Sequence, residues 1–236
     1  MRFRLVCLDG DDTLWDFDRS MRDRLERVLE VLWSERMDES TAQLSVEGLI
    51  GTRERVAEEL EGRVLDLKAV RLAAFERSLE DIGAPDPEVA ERMAEVYFED
   101  PTFELFDDVV PALRQIAAER VVTVVTNGDV DPATVGLGEW VSHTVNAPRV
   151  GVAKPDGRIF EHALAAAGVG ADQAVHVGDS PRFDIAGATA AGLTTVLIDR
   201  TGRWDPDVLA REERPDAVIR TLGELPDLLK SWEERE

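Results

Sequence analysis

Asp9 and Asp11 follow directly on the apolar run Leu5-Val6-Cys7-Leu8, and their spacing of two points both carboxylates the same way off an extended segment before the chain turns. Asp179 and Asp184 stand just after a second run, Val175-His176-Val177, and Thr126-Asn127-Gly128 closes a third, Val121 to Val125. Unit charges about 4 Å apart repel by roughly 4 kcal/mol at an effective dielectric near 20, so acids gathered at one place require a cation or shared protons. The candidate ligands are all hard oxygens with no Cys/His cluster beside them, which favours Mg²⁺, or Mn²⁺, over Zn²⁺. Lys154-Pro155, preceded by Gly151-Val152-Ala153, adds a fixed positive charge on a loop, and a lysine suits a phosphoryl group as a point charge.

These residues converge only if the apolar runs are neighbouring strands. Leu5–Leu8, Val121–Val125, Val175–Val177, Thr194–Ile198 and Ala217–Ile219 all read as short, fully buried parallel strands. Helical periods separate them, at Val110, Leu113, Ile116 and Ala117, and again at Ile159, Phe160, Ala163, Leu164 and Ala167, where Gly168 supplies the C-cap. The alternation predicts an α/β fold with a doubly wound parallel sheet, in which ligands bind at the carboxyl ends of the strands. From Phe17 to Asp100 only helical periods occur: Leu25, Val28, Leu29 and Leu32; Leu72, Phe75, Leu79 and Ile82; Val89, Met93, Val96 and Tyr97. This stretch is expected to form a separate all-helical module inserted after the first strand.

Composition narrows the partners. A net charge of −22 repels nucleic acid and anionic membranes, which are normally bound through clustered Lys and Arg. No apolar run approaches the roughly 18 residues of a membrane span, and the start of the chain does not read as a signal peptide. The single cysteine, Cys7, lies inside an apolar run and is expected to be a packed core thiol, which fits a reducing cytoplasmic setting. The three histidines have no triad or metal spacing among themselves and are assigned to core or surface. A monomer or a homodimer is expected.

Taken in order, Asp9-Gly10-Asp11-Asp12-Thr13-Leu14, Thr126-Asn127-Gly128, Lys154-Pro155, and Gly178-Asp179-Ser180 with Asp184-Ile185-Ala186-Gly187-Ala188 resemble the four motifs of the haloacid dehalogenase-like hydrolases. The resemblance covers the whole chain. It implies a Rossmann-like core, residues 1–16 and 101–236, and a helical cap, residues 17–100, between the first and second motifs. It further implies a Mg²⁺-dependent phosphatase that hydrolyses a small soluble phosphomonoester through an aspartyl-phosphate. Asp9 would be the nucleophile and Asp11 the acid and base. Thr126, with Asn127, Gly128 and their backbone N–H groups, would hold the phosphoryl oxygens, and Lys154 would balance charge. Asp9, Asp11, Asp179 and Asp184 would form the metal site, with Asp184 a direct or water-mediated contact, or else an orienter of Lys154 or a cap on the loop. Many members carry glycine where this chain has Asp12, read here as a tolerated turn or cap residue. A phosphomutase on the same scaffold and a catalytically inactive binding module are the alternatives. Dehalogenation is disfavoured because it needs no acid at Asp11, and phosphonate cleavage would require a Schiff-base lysine for which Lys68 is the only candidate.

Two further positions bear on substrate. Trp15, just past the nucleophile, is either a packing residue or a substrate or gating contact. Leu49-Ile50-Gly51-Thr52-Arg53 resembles a loop between cap helices that dips toward the active site, with Gly51 making the turn. Arg53 would then meet the phosphate or an anionic leaving group, or alternatively pair with Glu54 or Glu58 on a helix surface.

Overall fold

The computed structural model describes residues 2–60, 66–99, 101–205 and 208–234. They form two compact units, Met1–Asp16 with Glu104–Glu236, and Phe17–Phe103.

The first unit is built on six parallel strands: β1 (Leu5–Leu8), β2 (Val121–Thr126), β3 (His143–Asn146), β4 (Ala174–Gly178), β5 (Thr194–Ile198) and β6 (Ala217–Ile219), in the order β3-β2-β1-β4-β5-β6. Every residue of β1 is sealed from solvent, as an unbroken apolar run at the centre of a parallel sheet requires. Leu8 stands level with Val124 of β2 and with Val177 of β4, so these three strands end side by side. The strand order reverses direction between β1 and β4, which places a topological switch point beside Asp9.

Helices α5 (Val109–Ala117), α6 (Ala147–Val150), α7 (Arg158–Ala167), α8 (Gly187–Ala190) and α9 (Leu225–Glu233) belong to this unit, numbered after the four of the second. Ile159, Phe160 and Ala163 of α7 pack with Leu5, Cys7 and Val125 in one core. Gly168 ends α7 at φ 65°, the left-handed conformation expected of a C-cap glycine. Burial pushes the Cys7 thiol up to about 12, as a packed core cysteine should be.

The second unit is helical: α1 (Phe17–Glu35), α2 (Val46–Glu59), α3 (Leu67–Asp81) and α4 (Pro87–Phe98). Its core joins Leu25, Val28, Leu29 and Leu32 to Leu49, Phe75, Leu79, Met93, Val96 and Tyr97. Asp86 caps α4 by accepting from Val89 N–H, with Pro87 at the first helical position. The unit runs through Phe103 rather than ending at 100. Ser20 Oγ donates to the Thr102 carbonyl at 2.5 Å, and Phe103 stacks on Phe17 with centroids 6.4 Å apart. Asp100, the expected boundary, lies outside the described residues.

Two local expectations are corrected. Leu49 to Arg53 is not a loop but the middle of α2: Ser45 caps the helix at Gly48 N–H, and Leu49, Thr52 and Val56 bury one face, so Gly51 turns no corner. The edge strand β3 was not anticipated, because His-Thr-Val-Asn offers no apolar run. No helix among the described residues is long and apolar enough to cross a membrane.

Candidate active site

Asp9 continues the line of β1 for one residue, its N–H donating to the Val177 carbonyl at 2.9 Å. The chain then folds back on itself: Leu14 N–H reaches the Gly10 carbonyl at 2.8 Å and Asp12 N–H the Trp15 carbonyl at 2.8 Å. Asp12 sits at φ 57°, a left-handed position open to glycine and tolerated by Asp, which accounts for the residue found there. A β-carbon on Gly10 would lie 2.4 Å from the Trp15 ring, so this turn closes only over glycine. Trp15 is buried, and its indole N–H donates to Asp11 Oδ1 at 2.7 Å. Of its two readings the structure supports packing, with a hydrogen bond that orients Asp11.

Lys154 is buried, with Nζ 2.5 Å from Asp9 Oδ1 and 2.6 Å from Asp184 Oδ1. Its loop is clamped by Asn127, whose Oδ1 accepts from Lys154 N–H at 2.7 Å while Nδ2 donates to the Lys154 carbonyl at 3.0 Å. The Asn127 side chain, expected to face a phosphate, is thus committed to positioning the lysine. Thr126 Oγ1 accepts from Gly128 N–H at 2.9 Å. A β-carbon on Gly128 would come within 3.2 Å of that hydroxyl and 3.4 Å of Asp11 Oδ2, which brings Thr126, Gly128 and Asp11 together.

Asp184 arrives from a π-helical turn, Pro181–Ala186, whose first residues are capped by Ser180 Oγ. Such turns are rare and recur at functional sites. Its carboxylate accepts from Lys154, from His176 Nε2 at 2.9 Å and from Ser180 N–H at 3.0 Å. Burial opposes its ionisation, but Lys154 and His176 outweigh burial and hold Asp184 below the usual carboxylate range. Burial in turn keeps His176 below the ordinary imidazole value, hence neutral and a donor through Nε2.

Asp179 accepts from Arg203 Nη2 at 2.5 Å and, through its carbonyl, from Trp204 Nε1 at 3.1 Å. That loop is gathered around Asp199, which accepts from Gly202, Arg203 and Trp204 N–H. Burial, with the Asp184 and Asp12 charges, pushes Asp179 up to about 7. Burial also carries Asp9 well above its normal value against the pull of Lys154, with Asp184, Asp11 and Asp179 adding to the rise. Lys154 and Arg203 together do not offset the four carboxylates Asp9, Asp11, Asp179 and Asp184.

Oxygens of Asp9, Asp179 and Asp184 all lie within 4.8 Å of one another. Three hard donors within reach of one point, carrying more negative charge than Lys154 and Arg203 neutralise, fit a divalent cation. Asp11, expected to take part in the metal site, has no carboxylate oxygen in this trio among the described residues; its Oδ1 accepts from the Trp15 indole and its Oδ2 lies beside Gly128. Arg53 lies on α2 of the helical unit. His176, Arg203 and Trp204 were not anticipated. His176 carries a signal that could have found it, since a histidine inside a fully buried strand must have a polar partner.

Residues 3–192 match the haloacid dehalogenase-like hydrolase family. The chain is 33% identical to phosphoserine phosphatase from Thermus thermophilus over 163 residues, 66% of this chain and 63% of that protein. It is 33% identical to ribulose-1,5-bisphosphate 5-phosphatase from Halopiger xanaduensis over 172 residues, 67% of this chain and 72% of that one. Among solved structures, 2-haloacid dehalogenase from Pseudomonas syringae pv. Tomato superposes with a TM-score of 0.73 at 33% identity, covering 98% of this chain and 99% of that one.

Proposed function

The chain belongs to the haloacid dehalogenase-like hydrolase family, and from that premise we propose that it is a Mg²⁺-dependent phosphatase acting on a small soluble phosphomonoester through an aspartyl-phosphate at Asp9. The observation that carries this reading is the division of labour between two carboxylates two residues apart. Asp9 is held against Lys154, while Asp11 accepts from the Trp15 indole beside Thr126 and Gly128. This arrangement supports Asp9 as the nucleophile and Asp11 as the proton carrier.

Asp9, Asp179 and Asp184 would hold the cation, which when bound contributes positive charge that favours ionised carboxylates and a phosphoryl group beside them. In the first half-reaction an Asp9 oxygen forms a bond to phosphorus as the ester P–O bond breaks, and Asp11 gives its proton to the departing oxygen. In the second, Asp11 takes a proton from water, the water oxygen bonds to phosphorus, and the Asp9–phosphorus bond breaks to release phosphate. Lys154 stays protonated throughout, since Asp184 and Asp9 raise its pKa in spite of burial. Thr126, whose hydroxyl oxygen accepts from Gly128 N–H, would donate its own hydrogen to a phosphoryl oxygen.

One observation favours a second reading, dehalogenation: the superposed solved structure, similar over nearly the whole chain, bears that name. Displacing halide from carbon releases an anion that needs no proton, and an acid held in place by an indole N–H would then have no task. Phosphate release from a panel of phosphomonoesters, set against chloride release from 2-chloropropionate, separates the two. Phosphate release that stops with chelator, returns with Mg²⁺ and is lost in Asp9→Asn is the expected result. Chloride release without phosphate release would overturn the proposal.

A further inference from the structure

Arg200 lies two residues beyond β5 and has no task in the reaction, yet its guanidinium is committed inside the sheet unit. Nη2 donates to the Thr13 carbonyl at 2.8 Å, Nη1 donates to the Asp108 carboxylate at 3.1 and 3.2 Å, and Cζ stands 3.9 Å from the centre of the Phe106 ring. The side chain is only 15% exposed. Asp108, just before α5, is itself fixed, because its Oδ2 accepts from Leu222 N–H at 2.5 Å. The chain at Arg200 is fixed as well: Asp199 N–H donates to the Ile219 carbonyl at 2.8 Å, and its carboxylate gathers the N–H groups of Gly202, Arg203 and Trp204. Arg200 is therefore a strut anchored at both ends.

The segment it braces is the turn that carries Asp11. In that turn the Gly10 carbonyl accepts from Leu14 N–H, the Trp15 carbonyl from Asp12 N–H, and the Leu14 carbonyl from Phe106 N–H at 3.2 Å. The Thr13 carbonyl is taken by Arg200, and Thr13 is sealed from solvent, so without the guanidinium that oxygen loses its partner with no water at hand. Phe106, under the guanidinium, follows Leu105, which bridges to Trp15, and the Trp15 indole is the donor that holds Asp11 Oδ1. Arg200 thus reaches Asp11 by two routes, through the turn at Thr13 and through the segment paired with Trp15. A planar fork of N–H donors that also lies on an aromatic face is a combination peculiar to arginine.

We propose that Arg200 is a positioning residue for Asp11: it fixes the Thr13 turn and the Trp15 ring, so that the Asp11 carboxylate is held where it exchanges a proton with the ester oxygen. The kinetic consequence rests on the phosphatase reading; the placement of Asp11 does not.

The test compares Arg200→Met with Arg120→Met, which removes another buried arginine of the same unit, one paired with Glu119 and Glu233 at the opposite end of β2. The ratio of kcat/KM for butyl phosphate, whose leaving oxygen needs a proton, to that for 4-nitrophenyl phosphate should fall about tenfold in Arg200→Met, part of the roughly 10²–10⁴-fold that a placed proton donor contributes. It should stay at the wild-type value in Arg120→Met. The Trp15 indole N–H proton shift, assigned with Trp15→Phe, should move in Arg200→Met toward the value it takes in Asp11→Asn, and should not move in Arg120→Met. Arg200→Lys keeps a cation beside Asp108 but not the fork, so it should change both readouts in the same direction, and it serves if Arg200→Met does not fold. A wild-type chain that releases phosphate from neither ester, with the indole shift still moving as stated, would retain the positioning role and remove the phosphatase reading. Arg200 variants that lose stability but keep both the ratio and the indole shift, or an Arg120→Met that changes both as much, would overturn the proposal and leave Arg200 a brace of the fold alone.

Discussion

Replacing Gly178 by alanine adds one methyl group at the end of β4, a change that in an ordinary strand is neutral or mildly favourable. Here the new β-carbon would lie 2.2 Å from Asp184 Cγ, 2.4 Å from Oδ2 and 2.6 Å from Cβ. Asp184 has nowhere to go cheaply, because it is 1% exposed and accepts from Lys154, His176 and Ser180 N–H. Displacing it leaves the buried ammonium with only Asp9 and strands two buried N–H donors. Breaking a buried ion pair costs about 3–5 kcal/mol, and a buried donor without an acceptor about 1–3 kcal/mol. Gly178→Ala should therefore lose about 3–5 kcal/mol at least, a large part of the roughly 5–15 kcal/mol that holds a domain folded. Urea unfolding followed by tryptophan fluorescence measures this as a fall in midpoint at constant slope. The decisive arm is Asp184→Gly, in which the whole obstructing side chain, Cβ included, is gone; adding Gly178→Ala there should cost less than about 1 kcal/mol. Equal cost in both backgrounds would falsify the claim that this glycine exists to admit Asp184.

Mg²⁺ should raise the Tm by binding the folded state alone, worth about 2.7 kcal/mol at a hundredfold excess over Kd, and Asp179→Ala should abolish the rise. A Tm indifferent to Mg²⁺ would remove the trio as a metal site. Trp15→Phe keeps most of the packing but takes the indole N–H from Asp11, so kcat should fall about tenfold with alkyl phosphates and less with nitrophenyl phosphate, whose leaving oxygen needs little protonation; a uniform loss would mean that Trp15 acts only on the fold. Burial lifts the Cys7 thiol from 9.0 to about 12, so only the unfolded chain ionises it between those values. The associated stability is complete below about pH 9 and lost as pH rises toward 12, so the urea midpoint of wild type should decline more steeply over that range than that of Cys7→Ala.

The parts of the fold legible from residues alone are those where burial leaves a pattern. Strands β1, β2, β4, β5 and β6 lie within a parallel sheet whose buried positions demand apolar side chains, so they stand out as runs. Strand β3 sits at the edge with His143 and Thr144 half-buried, and its Asn146 spends its side chain capping α6, so nothing distinguishes it from a loop. Helix α2 escaped for the opposite reason: its buried face is only Leu49, Thr52 and Val56, and the glycine between them suggests a turn that the Ser45 cap and helix packing override.

The site divides the same way, between what one segment specifies and what requires distant segments to meet. Asp9, Thr126 and Asp179 announce themselves because each ends an apolar run, and strand ends are where this topology gathers ligands. What each side chain does there depends on partners that spacing does not disclose. Asn127 is spent on the backbone of Lys154, twenty-seven residues away, and Arg203 reaches Asp179 from a loop organised by Asp199. Asp184 is the clearest case, since sequence left it either a metal contact or an orienter of Lys154. The geometry has room for both roles: Oδ1 holds the lysine, Oδ2 accepts from Ser180 N–H, and a carboxylate oxygen of the same residue lies within 4.8 Å of Asp9 and Asp179 oxygens. One carboxylate thus couples the charge that balances the nucleophile to the place where a cation fits. A change at Asp184 is therefore expected to disturb both together, whereas a change at Asp179, whose carboxylate pairs with Arg203 and not with Lys154, leaves the Lys154–Asp9 contact in place.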